Sequence, residues 1–185
     1  MASIRLAHPT RDAERVAEIY APAVNDSHVS FEEMAPDAAE MAARMTKVLE
    51  RTPWLVAESD EADRVIGYAY ASAHRDRAGY RWSVDVSVYV DGEWQGRGVG
   101  RALYGELVER VRGQGFVNAY AGICLPNAAS VALHESIGMS LVGVYERVGF
   151  KFDRWWDVAW YGMRLAEPRG VPPEPVPPPI ADRET

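Results

Sequence analysis

The sequence predicts a mixed α/β fold in one domain. Three observations carry this reading. Short β-type runs alternate with segments of helical spacing along most of the chain. One run, Trp82 to Val90, alternates strictly between apolar and polar residues. The order of strands and helices is irregular and includes hairpins, which argues against a doubly wound dinucleotide fold. A chain of 185 residues is long enough to bury the core of one ordinary domain.

The elements follow in order. Ile4 to Ala7 reads as a first strand. Thr10 and Asp12 are candidates to cap a helix running to about Ala23, with Val16, Ile19 and Tyr20 on one face. Asp37 opens a second helix with Met41, Met45, Val48 and Leu49 at helical spacing. Trp54 to Ala57 is a strand, Ser59 to Asp63 a polar turn, and Val65 to Ala73 the returning strand. In the run from Trp82 to Val90, Trp82, Val84, Val86, Val88 and Val90 face one way, and Ser83, Asp85, Ser87 and Tyr89 the other. A glycine-rich loop leads into a helix from about Gly98 to Arg112. Asn118 to Ile123 is a strand, and Asn127 starts a short helix that ends at Gly138. Ser140 to Tyr145 and about Asp157 to Leu165 close the fold as strands. The domain is expected to span residues 1–167. From Pro168 the chain holds seven of its 12 prolines, so residues 168–185 are expected as an extended tail over the surface.

Composition narrows the function. The net charge of −7 argues against nucleic acid or an anionic membrane as principal partner. No apolar run approaches the roughly 18 residues of a membrane span, and no leader pattern opens the chain. The single cysteine, Cys124, excludes an internal disulfide and a multi-cysteine zinc site, and the cytoplasm is the expected compartment. No His-Glu-x-x-His or similar spacing points to a metal.

Residues 95–100 read Gln-Gly-Arg-Gly-Val-Gly between a strand and a helix. Glycines let a backbone approach an anion, and the first helical turn offers unpaired N–H groups backed by the helix dipole. The loop therefore reads as a pyrophosphate cradle. It lacks the Gly-Lys-Ser/Thr of a P-loop, and the third glycine of the dinucleotide fingerprint is absent. What remains is Q-x-x-G-x-G at Gln95, Gly98 and Gly100, bracketed by Arg97 and Arg101. A glycine-rich turn without a ligand is the bland alternative.

That loop, followed by Asn127, Ser130, Leu133 or His134, and Gly138 at N-x-x-S-x-x-x-L-x-x-x-x-G spacing, resembles the GCN5-related N-acetyltransferases (GNAT). Segments Pro53 to Glu58, Tyr80 to Val90, Gly113 to Phe116 and Leu125 to Met139, with the proline-rich end, look like the phosphinothricin N-acetyltransferase subgroup. The resemblance implies a GNAT fold whose central strand splays from its neighbour at a bulge. It implies acetyl-coenzyme A as cosubstrate, no metal, a small amino acid as acceptor, and a homodimer. Phosphinothricin or methionine sulfoximine or sulfone is the implied acceptor, with a role in herbicide or antibiotic resistance. By position, Val88, Tyr89 and Val90 offer the strand edge to the pantetheine arm. Gln95, Gly96, Arg97, Gly98, Val99, Gly100 and Arg101 take the pyrophosphate. Asn127 hydrogen-bonds the arm, with Ser130 and Ser136 as weaker candidates. Arg75, Asp76, Arg77 and Tyr80 line the acceptor site, Asp85, Val86 and Ser87 form its floor, and Phe31 caps it. Arginines there would grip a carboxylate or phosphinate in bidentate fashion.

Acetyl transfer to an amine needs a base, a donor for the oxyanion, and a proton for the thiolate. Asp85 is the candidate base. The subgroup usually has glutamate there, and the shorter aspartate favours a relay water over direct abstraction. A salt-bridged strand carboxylate is the alternative. His134, two helical turns after Asn127, is the candidate acid or base, against a satisfied helix histidine. The oxyanion donor is placed at a backbone N–H near Tyr89 or Val90, and the Tyr89 hydroxyl is a candidate to face the substrate. His8, His28 and His74 read as surface residues. Cys124, between apolar neighbours, reads as structural rather than as a covalent acetyl carrier. The aromatic run Trp155, Trp156, Trp160 and Tyr161 reads as core or as a dimer face. Two alternatives remain: an acetyltransferase for another small amine, and a non-catalytic acyl-CoA sensor.

Overall fold

A computed structural model describes residues 2–167 and 170–178. Among them, seven strands form one sheet: β1 (Ala2–Leu6), β2 (Trp54–Ser59), β3 (Arg64–Ala73), β4 (Ser83–Val90), β5 (Asn118–Leu125), β6 (Ser140–Lys151) and β7 (Arg154–Arg164). Their order is β1-β2-β3-β4-β5-β7-β6. Every pairing is antiparallel except β4 with β5. Helices α1 (Pro9–Asn25) and α2 (Ala38–Leu49) cover one face. Helix α3 (Val99–Gly113) packs on the other, with α4 (Ala128–Ser136) beside it.

Each helix has a local cause. In α1, Ala13, Val16, Tyr20 and Val24 are buried at three- and four-residue spacing. Pro9 stands at its first position, where a missing N–H costs nothing. Thr10 and Asp12 were expected as caps, but His8 occupies the cap position and no side chain caps there. Asp12 lies one turn in, buried, because it is the acceptor for four donors, Arg11 Nε at 3.1 Å among them. It takes the His8 backbone N–H at 2.6 Å and both terminal nitrogens of Arg5 at 2.7 and 2.8 Å. Asp37 does cap α2, accepting the Glu40 N–H at 2.8 Å. In α3, Leu103, Leu107 and Val111 are fully buried, and burial of such a side chain contributes about 1.5–3 kcal/mol.

The alternation expected of residues 82–90 appears in β4. Val84 and Val86 are buried in the α3-side core, with Val88 and Val90 packed against it. Tyr89 joins Tyr20 and Tyr68 on the α1 side. The last strands run further than expected. Residues 146–156 complete a long β6–β7 hairpin that turns at Phe152 and Asp153, both at positive φ. In it Trp156 and Tyr161 are buried while Trp155 is exposed.

Of the tail, residues 170–178 carry no helix or strand. They run beside the start of β4, where the Pro173 carbonyl accepts from Trp82 Nε1 at 2.8 Å. The Val176 N–H donates to the Gln114 carbonyl at 2.8 Å, and Gln114 Nε2 donates to the Val176 carbonyl at 2.8 Å. Residues 168–169 and 179–185 of the expected tail lie outside the described residues.

One feature of this sheet positions the site. β4 pairs with β5 only from Ser83 to Asp85, against Asn118 to Tyr120. Beyond that point β4 stays with β3 to Val90, and β5 stays with β7 to Leu125. The two central strands therefore part. The expected bulge is not the cause: the β3–β4 register runs unbroken from Ala73–Val84 to Gly67–Val90. A helix end fills the gap instead. A Cβ on Gly100 of α3 would stand 3.2 Å from Leu133 Cδ2 of α4 and 3.6 Å from Val90 Cγ2. The opening becomes a cleft of about 740 Å³.

Candidate active site

The α3-side wall of the cleft is mostly backbone. Val86 through Val90 line one side, and Gly122, Ile123 and Cys124 the other. The His74 N–H donates to the Ser83 carbonyl and the Asp91 N–H to the Ile66 carbonyl. Odd-numbered residues of β4 therefore direct their amides to β3 and even-numbered ones to the β5 side, where those of Val88 and Val90 lie beyond the last β4–β5 pair. The Val90 carbonyl is already taken by Gln95 Nε2 at 3.2 Å. The N–H groups of Val88 and Val90, rather than that of Tyr89, are the donors an acyl oxygen would meet.

The glycine turn stands at the mouth. Gly96 and Gly98 have φ of 73° and 83°, a left-handed conformation that side chains disfavour. A Cβ on either would meet nothing within 4 Å, so their surface is open. Gly98 is the cap residue of α3 and offers no side chain, which leaves the first-turn amides uncapped. Gln95, Gly96, Gly98, Val99, Gly100 and Arg101 line the cleft. Arg97 is exposed, its guanidinium 4.8 Å from the centre of the Trp94 ring, itself a lining residue. This is a set of donors fitted to a diphosphate. Asn127 caps α4, accepting the Ser130 N–H at 3.0 Å, and both residues line the cleft. Ser136 does not; it is exposed and donates to the Leu133 carbonyl at 2.7 Å.

His134 is buried against the cleft. Its Nδ1 is 2.7 Å from the Ser130 carbonyl, which can only accept, so Nδ1 carries the proton. Nε2 is then an acceptor, and the Tyr104 hydroxyl donates to it at 2.9 Å. Burial lowers the pKa of His134, against the pull of the Ser130 carbonyl, and raises that of Tyr104. The hydroxyl proton of the pair is thus directed at His134 Nε2, and both residues line the cleft. Tyr104 had no mark in the sequence, where it reads as one more apolar-face residue of α3.

The opposite side of the parting, on the α1 face, is made of side chains. Asp85 belongs to the last β4–β5 pair, and its Oδ1 accepts from His74 Nδ1 at 2.6 Å. Burial raises the Asp85 pKa, while His74 and Arg75 pull it down. The surface reading of His74 is thus corrected: its side chain is 15% exposed and stacks on Tyr120 of β5 at 4.7 Å. The signal was obscured because His74 and Asp85 lie 11 residues apart and meet only through the β3–β4 register. His28 is also tied down, stacked on Trp156 at 4.0 Å. His8 is exposed, as read.

The expected acceptor loop is only partly gathered. Val86 and Ser87 line the cleft. Arg75, Asp76, Arg77 and Tyr80 line a separate small hollow beside Arg51 and Phe116. Arg75 nevertheless reaches the acceptor face, its guanidinium 5.6 Å from the centre of the Trp160 ring. Tyr80 lies edge-on to His74 at 5.9 Å. Phe31 is not on the cleft wall; its ring covers Gly149 of β6 so closely that no Cβ would fit there. The Tyr89 ring lines the cleft but is packed edge-on to Tyr20 at 4.9 Å, and burial raises its pKa well above normal. Cys124 is buried, and burial raises its thiol pKa.

Residues 4–160 match the family model described as the acetyltransferase (GNAT) domain. Phosphinothricin N-acetyltransferase of Alcaligenes faecalis is 42% identical over 148 residues, which are 79% of this chain and 74% of that one. L-methionine sulfoximine/L-methionine sulfone acetyltransferase of Pseudomonas aeruginosa is 37% identical over 162 residues, 87% of this chain and 94% of the other. The crystal structure of a GNAT phosphinothricin acetyltransferase from Sinorhizobium meliloti in complex with acetyl-CoA superposes with a TM-score of 0.87. It is 37% identical, covering 98% of this chain and 97% of that one. Among the described residues, no helix is long and apolar enough to cross a membrane.

Proposed function

The chain belongs to the GNAT acetyltransferase family, and from that premise we propose that it moves an acetyl group from acetyl-CoA to the α-amino group of a small amino acid. Phosphinothricin and methionine sulfoximine or sulfone are the acceptors assigned, on the names of relatives 42% and 37% identical. The observation that supports this best is the parting of β4 from β5 beside a helix entered through two left-handed glycines. It leaves bare strand amides and bare helix amides on one continuous wall.

Acetyl-CoA, when bound, supplies an acyl carbon activated as a thioester. The residues do the rest. The amides of Gly96 to Arg101 hold the diphosphate, Arg97 and Arg101 add charge, and Asn127 and Ser130 flank the arm. The Val88 and Val90 N–H groups hold the acyl oxygen and stabilise the charge that develops on it. Tyr104, oriented by His134, holds a proton on the wall toward which the sulfur departs. Asp85 and the Arg75 side of the sheet receive the acceptor. The exposed apolar residues of the last hairpin, among them Leu141, Val142, Tyr145, Phe150 and Trp155, are assigned to a second copy of the chain. Sedimentation of a dimer, lost in a Val142→Glu/Phe150→Glu variant, checks that assignment.

The activity is tested by assaying release of free coenzyme A over a panel of amines. Turnover of phosphinothricin or of methionine sulfoximine is the expected result. Turnover of a polyamine or peptide alone would replace the acceptor. Tight acetyl-CoA binding without turnover of any amine would make this a sensor domain.

A further inference from the structure

We propose that His74 is the group that takes the proton from the acceptor amine, with Asp85 holding its imidazole in the Nδ1–H form. This rests on the transfer reading above and names the base that reading leaves open. The argument is geometric. Asp85 Oδ1 is engaged by His74 Nδ1–H at 2.6 Å, so the carboxylate orients the ring. That fixes the tautomer and leaves the Nε2 lone pair outward. Nε2 has no protein partner among the described residues, and the ring is not sealed from solvent. The ring itself is clamped: stacked on Tyr120 at 4.7 Å, edge-on to Tyr80 at 5.9 Å and to Trp160 at 6.0 Å.

The position is right for an amine. Asp85 and Tyr120 form the last pair before the strands part. The next residues on the same face, Ser87 and Gly122, line the cleft, about 7 Å further along each strand. The dyad therefore stands one same-face step before the cleft lining, on the face opposite α3, although neither His74 nor Asp85 is itself a lining residue. Arg75 follows His74 in the chain, and its guanidinium over Trp160 suits a carboxylate. In an α-amino acid the carboxylate and the amine sit on one carbon, so a carboxylate on Arg75 brings the nitrogen to the His74 edge. Glu32, a carboxylate on the α1 side, is already engaged. It is held by Arg44 at 2.8 and 2.9 Å and by the Tyr20 hydroxyl at 2.8 Å.

The protons balance. The ammonium gives one proton to Nε2, making an imidazolium that Asp85 stabilises, and His74 later releases it to solvent. The freed nitrogen pair forms the N–C bond, and the C–S bond breaks with its electrons on sulfur. A second proton leaves nitrogen for solvent, and sulfur takes one from the Tyr104 hydroxyl, which solvent then reprotonates. The third stays on the amide.

The test uses His74→Phe, which keeps the ring packing, and Asp85→Asn. His74→Phe is expected to lower kcat/KM about 100-fold, within the range of a lost general base, while acetyl-CoA affinity by calorimetry stays within about threefold. The double variant is expected to be no worse than about threefold below the poorer single one, because the two act as a unit. The groups facing that imidazole are Asp85 on β4, Arg75 beside it, and the phenols of Tyr80 and Tyr120. Nitrogen-15 spectra of the wild type should show the Nδ1–H tautomer. Turnover of His74→Phe within about threefold of wild type, beside a 100-fold loss in Asp85→Asn, would overturn the proposal and return the role to Asp85. An Nε2–H tautomer would also overturn it. A wild type that binds acetyl-CoA but acetylates no amine defeats the transfer reading itself, a result distinct from either.

Discussion

The two faces of the parting between β4 and β5 are built from different material. On the α3 side the working groups are backbone amides: Val88 and Val90 on β4 and the first turn of α3 behind Gly96 and Gly98. On the α1 side they are side chains brought in from separate strands: His74 beyond β3, Asp85 on β4, Tyr120 on β5 and Trp160 on β7. A backbone site needs only the right φ and a lack of Cβ, both written locally in the chain. A side-chain site needs strand registers, which are not local. The first kind tolerates change in every side chain but glycine. The second is sensitive to each residue and can change its acceptor without disturbing the cofactor.

The sharpest way to break this contrast is Gly98→Val. Open space surrounds the position, so the fold should survive. Its φ of 83° is the obstacle, because a left-handed residue with a Cβ costs about 1–2 kcal/mol and a β-branched one more. Acetyl-CoA affinity measured by calorimetry should fall about 100-fold, with the far-ultraviolet spectrum unchanged. Normal affinity in this variant would mean that the turn does not carry the diphosphate.

On the side-chain half, Arg75→Ala should raise the acceptor KM about tenfold and leave acetyl-CoA affinity alone, as for the loss of one exposed charge-assisted contact. An equal loss in both would show the halves to be coupled. Tyr104→Phe is expected to be milder, lowering kcat severalfold. It removes the hydroxyl that His134 Nε2 holds at 2.9 Å, and the unpaired nitrogen should also reduce stability by about 1–3 kcal/mol in urea unfolding.

What the sequence disclosed follows the same division. The glycine turn, the β4 alternation, the Asp37 and Asn127 caps and the helix faces of α1 and α2 were legible, because each is a pattern within about a dozen residues. The His74–Asp85 pair was not, since the β3–β4 register makes it and a lone histidine in an arginine-rich loop looks solvated. Tyr104 was hidden because its partner lies 30 residues away on another helix. The middle of the last hairpin was lost for a different reason. Arg147 at positive φ and register shifts between Tyr145 and Gly149 break the period that identifies a strand. The resemblance implies Phe31 as a cap on the acceptor site, yet Gly149 opposite it offers a flat backbone on which the ring settles.

The smallest expected effect concerns protonation on the α3 wall. Burial lowers the His134 pKa below its ordinary value of 6.5, so the unfolded chain takes up a proton there before the folded one does. The folded state should thus lose stability as pH falls below about 6.5, until His134 itself protonates. Asp12 and Glu32, whose pKa values are lowered, act in a lower window. Burial would raise Asp12, but Arg5 and the His8 amide outweigh it, and Arg44 leads at Glu32. Their contribution is present above the ordinary carboxylate range and is lost only as pH falls through it. The slope between about pH 6.5 and 5 therefore isolates His134 when wild type is compared with His134→Gln, which can still donate to the Ser130 carbonyl. Melting temperatures should converge as pH falls through that interval. A parallel pair of curves would mean that His134 is as free to take a proton in the folded chain as in the unfolded one, and the α3 wall would then be wetter than its packing implies.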